Sequence, residues 1–200
     1  MFINWALGEL NLKIVYYGPA LSGKTTNLQY IHARTPQNLR GRLVSLKTQQ
    51  ERTLFFDFLQ LELGKVNNLK PKFKLYTVPG QTYYAASRKI ILQGTDGIVF
   101  VADSQAGRMS ENHESWYTME QHLIELGHDL RTFPIILQLN KRDLPYTLAP
   151  TIMRRQLGAE HIPTFEAAAT QGVGVFDALK ACMNAVIAQF IRSGAGQPGR

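Results

Sequence analysis

The chain has one cysteine in 200 residues, Cys182, so no disulfide framework is available. A core must hold it together, and a reducing compartment is expected. No apolar run is long enough to span a bilayer. The apolar start, Met1 to Leu7, has no basic flank and is cut short by Gly8 and Glu9, which excludes a signal peptide. No glycine follows Met1 and no cysteine stands near Arg200, so neither myristoylation nor prenylation is expected. A cytoplasmic protein without a lipid anchor is the reading. The five histidines show no metal-ligand spacing. Acid is also missing locally: between Glu62 and Asp96 no acidic residue occurs, while Lys65, Lys70, Lys72, Lys74, Arg88 and Lys89 add six charges toward the net +7. Such a stretch could meet an anionic partner, or be solvated lysines on a hairpin. No basic and aromatic interleaving marks a base-stacking platform, so nucleic acid is not expected.

What is present is more specific. Gly18-Pro19-Ala20-Leu21-Ser22-Gly23-Lys24-Thr25 fits G-x-x-x-x-G-K-[ST], a loop that wraps nucleotide phosphates. The glycines let the backbone turn so that N–H groups, through Thr26, point at phosphate oxygens. Lys24 adds a point charge, and Thr25 offers a hydroxyl to Mg²⁺. The context agrees: Leu10, Leu12, Ile14 and Val15 read as a buried strand before the loop, and Thr26 to Arg34 as a helix stopped by Pro36.

Strand-like and helix-like segments alternate, which predicts an α/β fold of the P-loop NTPase type, with a mostly parallel sheet covered on both faces. Ile98 to Ala102 and Ile135 to Leu139 are continuous apolar runs and should be central strands. Leu54 to Leu63 and Phe73 to Val78 are two strands with a short connection, and therefore antiparallel. Gln37 to Arg52 reads as an exposed loop with a short strand at Leu43 to Leu46. Glu111 to Leu126 and Phe176 to Ile191 have helical spacing. The expectation is a single domain over residues 1–192 and a disordered tail, Ser193 to Arg200. Cys182, Trp5 and Trp116 read as packing residues, and Asp103, at a strand end, as structural.

Asn140-Lys141-Arg142-Asp143 directly follows the strand Ile135 to Leu139. Ligands bind at such strand ends. A carboxylate at 143 can accept two hydrogen bonds from guanine, which adenine's edge does not offer. Asn140 can tie the loop to neighbouring segments, and the Lys141 stem can lie along the base.

With both motifs in place, the chain resembles the Ras-like small GTPases over nearly its whole length. Thr77-Val78-Pro79-Gly80-Gln81 occupies the position of that family's D-x-x-G element, and this variant, with Arg52-Thr53-Leu54-Phe55-Phe56-Asp57, is similar to the bacterial MglA group of polarity and gliding-motility GTPases. The resemblance implies GTP and GDP as ligands with Mg²⁺, Gly80 sensing the terminal phosphate, Gln81 orienting the attacking water and Arg52 acting as an arginine finger from within the chain. It implies backbone contacts to guanine from Ala168 and Ala169. It also implies a register change of Leu54 to Leu63 between nucleotide states, recruitment to a cell pole, and a Roadblock-type, MglB-like dimer as activating partner. Exchange factor and effectors are not legible. With threonine at 77 one carboxylate near the metal is missing, which leaves Thr25, Thr53 and phosphate oxygens to hold Mg²⁺.

Two functions from different classes follow. The first is a GTP-hydrolysing switch; the second, motivated by Thr77, is a GTP-dependent scaffold with negligible hydrolysis. A small-substrate kinase lacks support, because no basic lid segment is evident.

Overall fold

The computed structural model describes residues 1–47, 53–62, 64–66, 68–80 and 85–194. An eight-stranded sheet forms the middle layer. Its strands are β1 (Phe2–Asn4), β2 (Glu9–Tyr17), β3 (Val44–Lys47), β4 (Thr53–Glu62), β5 (Lys70–Thr77), β6 (Gly97–Asp103), β7 (Ile135–Asn140) and β8 (Thr164–Glu166). They lie in the order β3-β4-β5-β2-β6-β7-β8, with β1 paired to β2. From β5 to β8 all neighbours are parallel, and β4 runs antiparallel to both β3 and β5. The antiparallel β4–β5 pair agrees with the sequence. The antiparallel β1 does not appear in the sequence reading.

The helices are α1 (Lys24–Arg34), α2 (Ala85–Leu92), α3 (Met109–Glu125), α4 (Pro150–Gln156) and α5 (Val175–Arg192). A period of two along the strands splits the core. Leu10, Leu12, Ile14 and Tyr16 of β2 pack with Leu28 and Ile31 of α1 and with Leu179, Val186 and Phe190 of α5. Val15 and Tyr17 face the other way, toward Leu92, Trp116, Met119, Leu123 and Met153. Helices therefore cover both faces, and every residue of β6 and β7 is buried. Gly97 lies close under α5: a Cβ there would stand 2.6 Å from Val186 Cγ2 and 3.0 Å from Cys182 Sγ. Cys182 is fully buried, and burial pushes its thiol pKa up.

Some expectations change. Trp116 packs as expected, edge-on to Phe100 with ring centroids 4.8 Å apart. Trp5 does not: it is 54% exposed in the turn after β1. Of the basic stretch, Lys70, Lys72 and Lys74 alternate along β5 and share its less buried face. Lys72 pairs with Glu9 and Glu62, Lys89 pairs with Glu125, and Arg88 is buried. The loop after α1 contains a 3-10 turn at Gln37–Leu39, and the short strand begins at Val44. No described helix is long and apolar enough to cross a membrane. The tail expected from Ser193 lies outside the described residues from 195 onward.

Candidate functional site

Four parallel strands end on the same edge of the sheet, and each motif follows one of them. β2 leads into residues 18–25, β5 into 78–80, β6 ends at Asp103, and β7 runs into residues 140–143. This is where α/β sheets place ligands.

The phosphate loop has the backbone its glycines predict. Gly18 and Gly23 have φ of 143° and 101°, and Leu21 is also left-handed at 64°. A Cβ at Gly18 would strike the Val101 carbonyl, and one at Gly23 would strike the Asn140 side chain. Gly23 caps α1, so the positive end of that helix opens into the loop. Lys24 turns back into the loop, donating from Nζ to the carbonyls of Gly18 (2.9 Å) and Pro19 (2.6 Å). Burial pushes its pKa down to about 7, with the Arg88 guanidinium adding to the shift and Asp57 opposing it. The Ser22 hydroxyl is buried and has no partner among the described residues. These features fit a phosphate group: a desolvated cation, an orphaned hydroxyl, and a backbone curve that a side chain would fill. Gly80 approaches the same loop so closely that a Cβ would overlap the Ala20 backbone.

Asn140 unites the second motif with the first. Its Nδ2 donates to the Ser22 carbonyl at 2.7 Å, and its Oδ1 accepts from the Ala169 N–H at 2.9 Å. Beside it lies a cleft of about 200 Å³ lined by Leu21, Gly23, Thr26, Asn140, Lys141, Asp143, Leu144, Ala169 and Thr170. Lys141, with φ of 66°, donates to the fully buried Asp103 at 2.7 Å, which holds its stem along one wall and gives Asp103 the structural role expected of it. Ala168 stands behind the cleft with its N–H bonded to the Val173 carbonyl. The expected guanine contact at Ala169 competes with Asn140 for one N–H.

Position 77 is a threonine, as the sequence shows, yet a carboxylate from another strand stands beside Thr25. Asp57, fully buried on β4, accepts from the Thr25 hydroxyl at 2.6 Å and from the Thr77 hydroxyl at 2.9 Å through Oδ2. Ser45 donates to its Oδ1. Thr77 in turn accepts from the Asp57 N–H at 2.7 Å. An anchored hydroxyl at the mouth of a phosphate loop fits a hard divalent cation such as Mg²⁺, which takes oxygen ligands.

Other contacts went unread in the sequence. Arg108 donates to the Ala20 carbonyl at 3.2 Å, and Gln138 donates to Asn27, which donates to the Gly23 carbonyl. The first two join residues far apart in the chain, so no local pattern carried them. Arg52 and Gln81 lie outside the described residues, and of Thr53 only the backbone is described, as the first residue of β4. Among the described residues no cluster of His, Cys, Asp and Glu could hold a metal by itself.

The model of the ADP-ribosylation factor family matches residues 2–186. Mutual gliding-motility protein MglA of Myxococcus xanthus (strain DK1622) is 52% identical over 193 residues, 96% of this chain and 99% of that protein. ADP-ribosylation factor-like protein 4D of Bos taurus is 28% identical over 108 residues, 54% of this chain and 52% of its own. Its Mus musculus counterpart is also 28% identical over 108 residues.

Proposed function

The chain belongs to the ADP-ribosylation factor family of small GTPases and is a GTP-hydrolysing switch, and we propose that it works with Mg²⁺ in bacterial cell polarity and gliding motility. The observation that carries the site assignment is the bond from Asn140 to Ser22, which makes one cleft of the phosphate loop and the loop holding Asp143.

In this reading the N–H groups from Gly18 through Thr26 and the Lys24 ammonium receive the phosphates. Hydroxyls of Thr25 and Thr53 hold the metal, which when bound neutralises charge on the phosphate oxygens. Asp143 takes the guanine N–H groups, Lys141 covers the base, and Ala168 and Ala169 support the loop beneath it. Gly80 leaves room for the terminal phosphate, since any side chain there would displace the phosphate loop. Gln81 orients the attacking water, and Arg52 meets the charge that grows in the transition state. A Roadblock-type dimer is the activating partner, and recruitment to a cell pole is the cellular output. Family membership disfavours the scaffold reading.

Single-turnover hydrolysis tests this. Arg52→Ala should retain GTP affinity and lose about 10³ to 10⁵ in partner-stimulated rate, the range an arginine finger supplies. Unchanged stimulated turnover in both Arg52→Ala and Gln81→Ala overturns the assignment.

A further inference from the structure

Arg108 stands where the 3-10 turn Ala106–Arg108 passes into α3, and its fork serves more than one partner. One terminal nitrogen donates to Glu111 Oε1 at 2.6 Å, the other to the Ala20 carbonyl at 3.2 Å, and Nε lies 3.9 Å from Asp103 Oδ2. Two acids therefore aim the guanidinium at the phosphate loop. What it holds there is a peptide unit. Ala20 and Leu21 share a trans peptide, whose C=O and N–H point in opposite directions. With the Ala20 oxygen drawn toward Arg108, the Leu21 N–H is turned the other way, and among the described residues it has no acceptor. The backbone of the loop does not favour this arrangement by itself, because Leu21 has φ of 64°, a value that L side chains rarely adopt.

We propose that Arg108 is a positioning residue for the outer phosphates, clamping the Ala20 carbonyl so that the Leu21 N–H faces the nucleotide. The inference rests on the reading of residues 18–25 as the phosphate loop of a guanine-nucleotide site. Ala20 also meets Gly80, the residue assigned to the terminal phosphate, so this peptide serves the phosphates beyond the one joined to the ribose. A donor fixed before the ligand arrives gives up no freedom when it binds. Arginine suits the task because its rigid fork carries separate donors for Glu111 and Ala20, whereas lysine has one nitrogen on a flexible stem. Asp103 also takes Lys141, the lysine assigned to the base, so one buried acid braces both ends of the nucleotide site.

The test compares wild type, Arg108→Ala and Arg108→Lys. GDP, GMP and ADP compete against fluorescent GDP, at low salt and in about 1 M KCl, where exposed charges are screened. Arg108→Ala should lose about 10-fold in GDP affinity, the effect of one hydrogen bond to a charged group, and keep that deficit in high salt. Its GMP affinity should match wild type, since GMP lacks the outer phosphates. Arg108→Lys keeps the charge without the fork, and should fall with the Ala variant. Unchanged GDP affinity in Arg108→Ala overturns the inference. An equal loss for GDP and GMP overturns it too, since that marks a general loosening of the fold. So does a deficit that disappears in high salt, or wild-type affinity in Arg108→Lys, because charge alone then acts. Should the Ala variant not fold, Arg108→Lys decides by the same ratio of GDP to GMP. A wild-type chain that binds GMP as tightly as GDP overturns the phosphate-loop reading itself, and one that binds ADP as tightly as GDP overturns the guanine site.

Discussion

Asn140 donates to the carbonyl of Ser22 across 118 positions of sequence, so the loop that reads the base and the loop that holds the phosphates move as one body. Asn140 is 2% exposed, and both ends of its side chain are engaged.

Asn140→Ala leaves the Ser22 carbonyl and the Ala169 N–H without their partner. Each loss costs about 1–3 kcal/mol. GDP affinity should fall by at least tenfold, measured by fluorescent nucleotide titration, with a lower melting temperature in the same variant.

Lys24 carries a pH signature. The protein's own groups hold its pKa near about 7, below the ordinary value of 10.5. Between those values the unfolded chain binds more protons than the folded one, so this residue's contribution makes stability rise with pH across that window and level off below it. Lys24→Met should flatten the dependence, seen as melting temperature against pH. Phosphate charge acts in the opposite sense on the ammonium, so nucleotide binding at pH 8 should take up a proton. Calorimetry in buffers of different ionisation enthalpy reads that uptake.

Arg88→Leu should raise the Lys24 pKa, because the guanidinium is the largest charge depressing it. The proton uptake on binding at pH 8 should then shrink. The same calorimetric series checks it.

Gly80→Ala places a methyl group against the Ala20 backbone. The two segments must separate, at a cost of about 1–3 kcal/mol. GTP should lose more affinity than GDP, since Gly80 is assigned to the terminal phosphate; competition binding measures the ratio.

Phe100→Ala empties a fully buried site between Tyr17 and Trp116. Denaturant unfolding should show a loss of about 3–5 kcal/mol.

The parts legible in the sequence are those whose signal is local. β6 and β7 announce themselves as unbroken apolar runs, α3 and α5 as helical spacing, and the two nucleotide motifs as short fixed patterns. What escaped is short or depends on distant partners. β1 and β8 have three residues each and α4 has seven, too few to show a period. Trp5 is aromatic and was expected to pack, but the turn it occupies leaves it in solvent. Asp57 stood in plain view at the end of a recognised segment. Its place beside Thr25 depends on how β4 registers against β5, a relation that no window of sequence contains.

The close seating of α5 on Gly97 gives the chain an internal clock. Its sole thiol, Cys182, is sealed against β6, and a thiol-reactive dye reaches it when α5 leaves the sheet. Labelling speed therefore reports opening of the domain itself, and nucleotide or partner that slows the labelling can be ranked by how firmly each closes the fold.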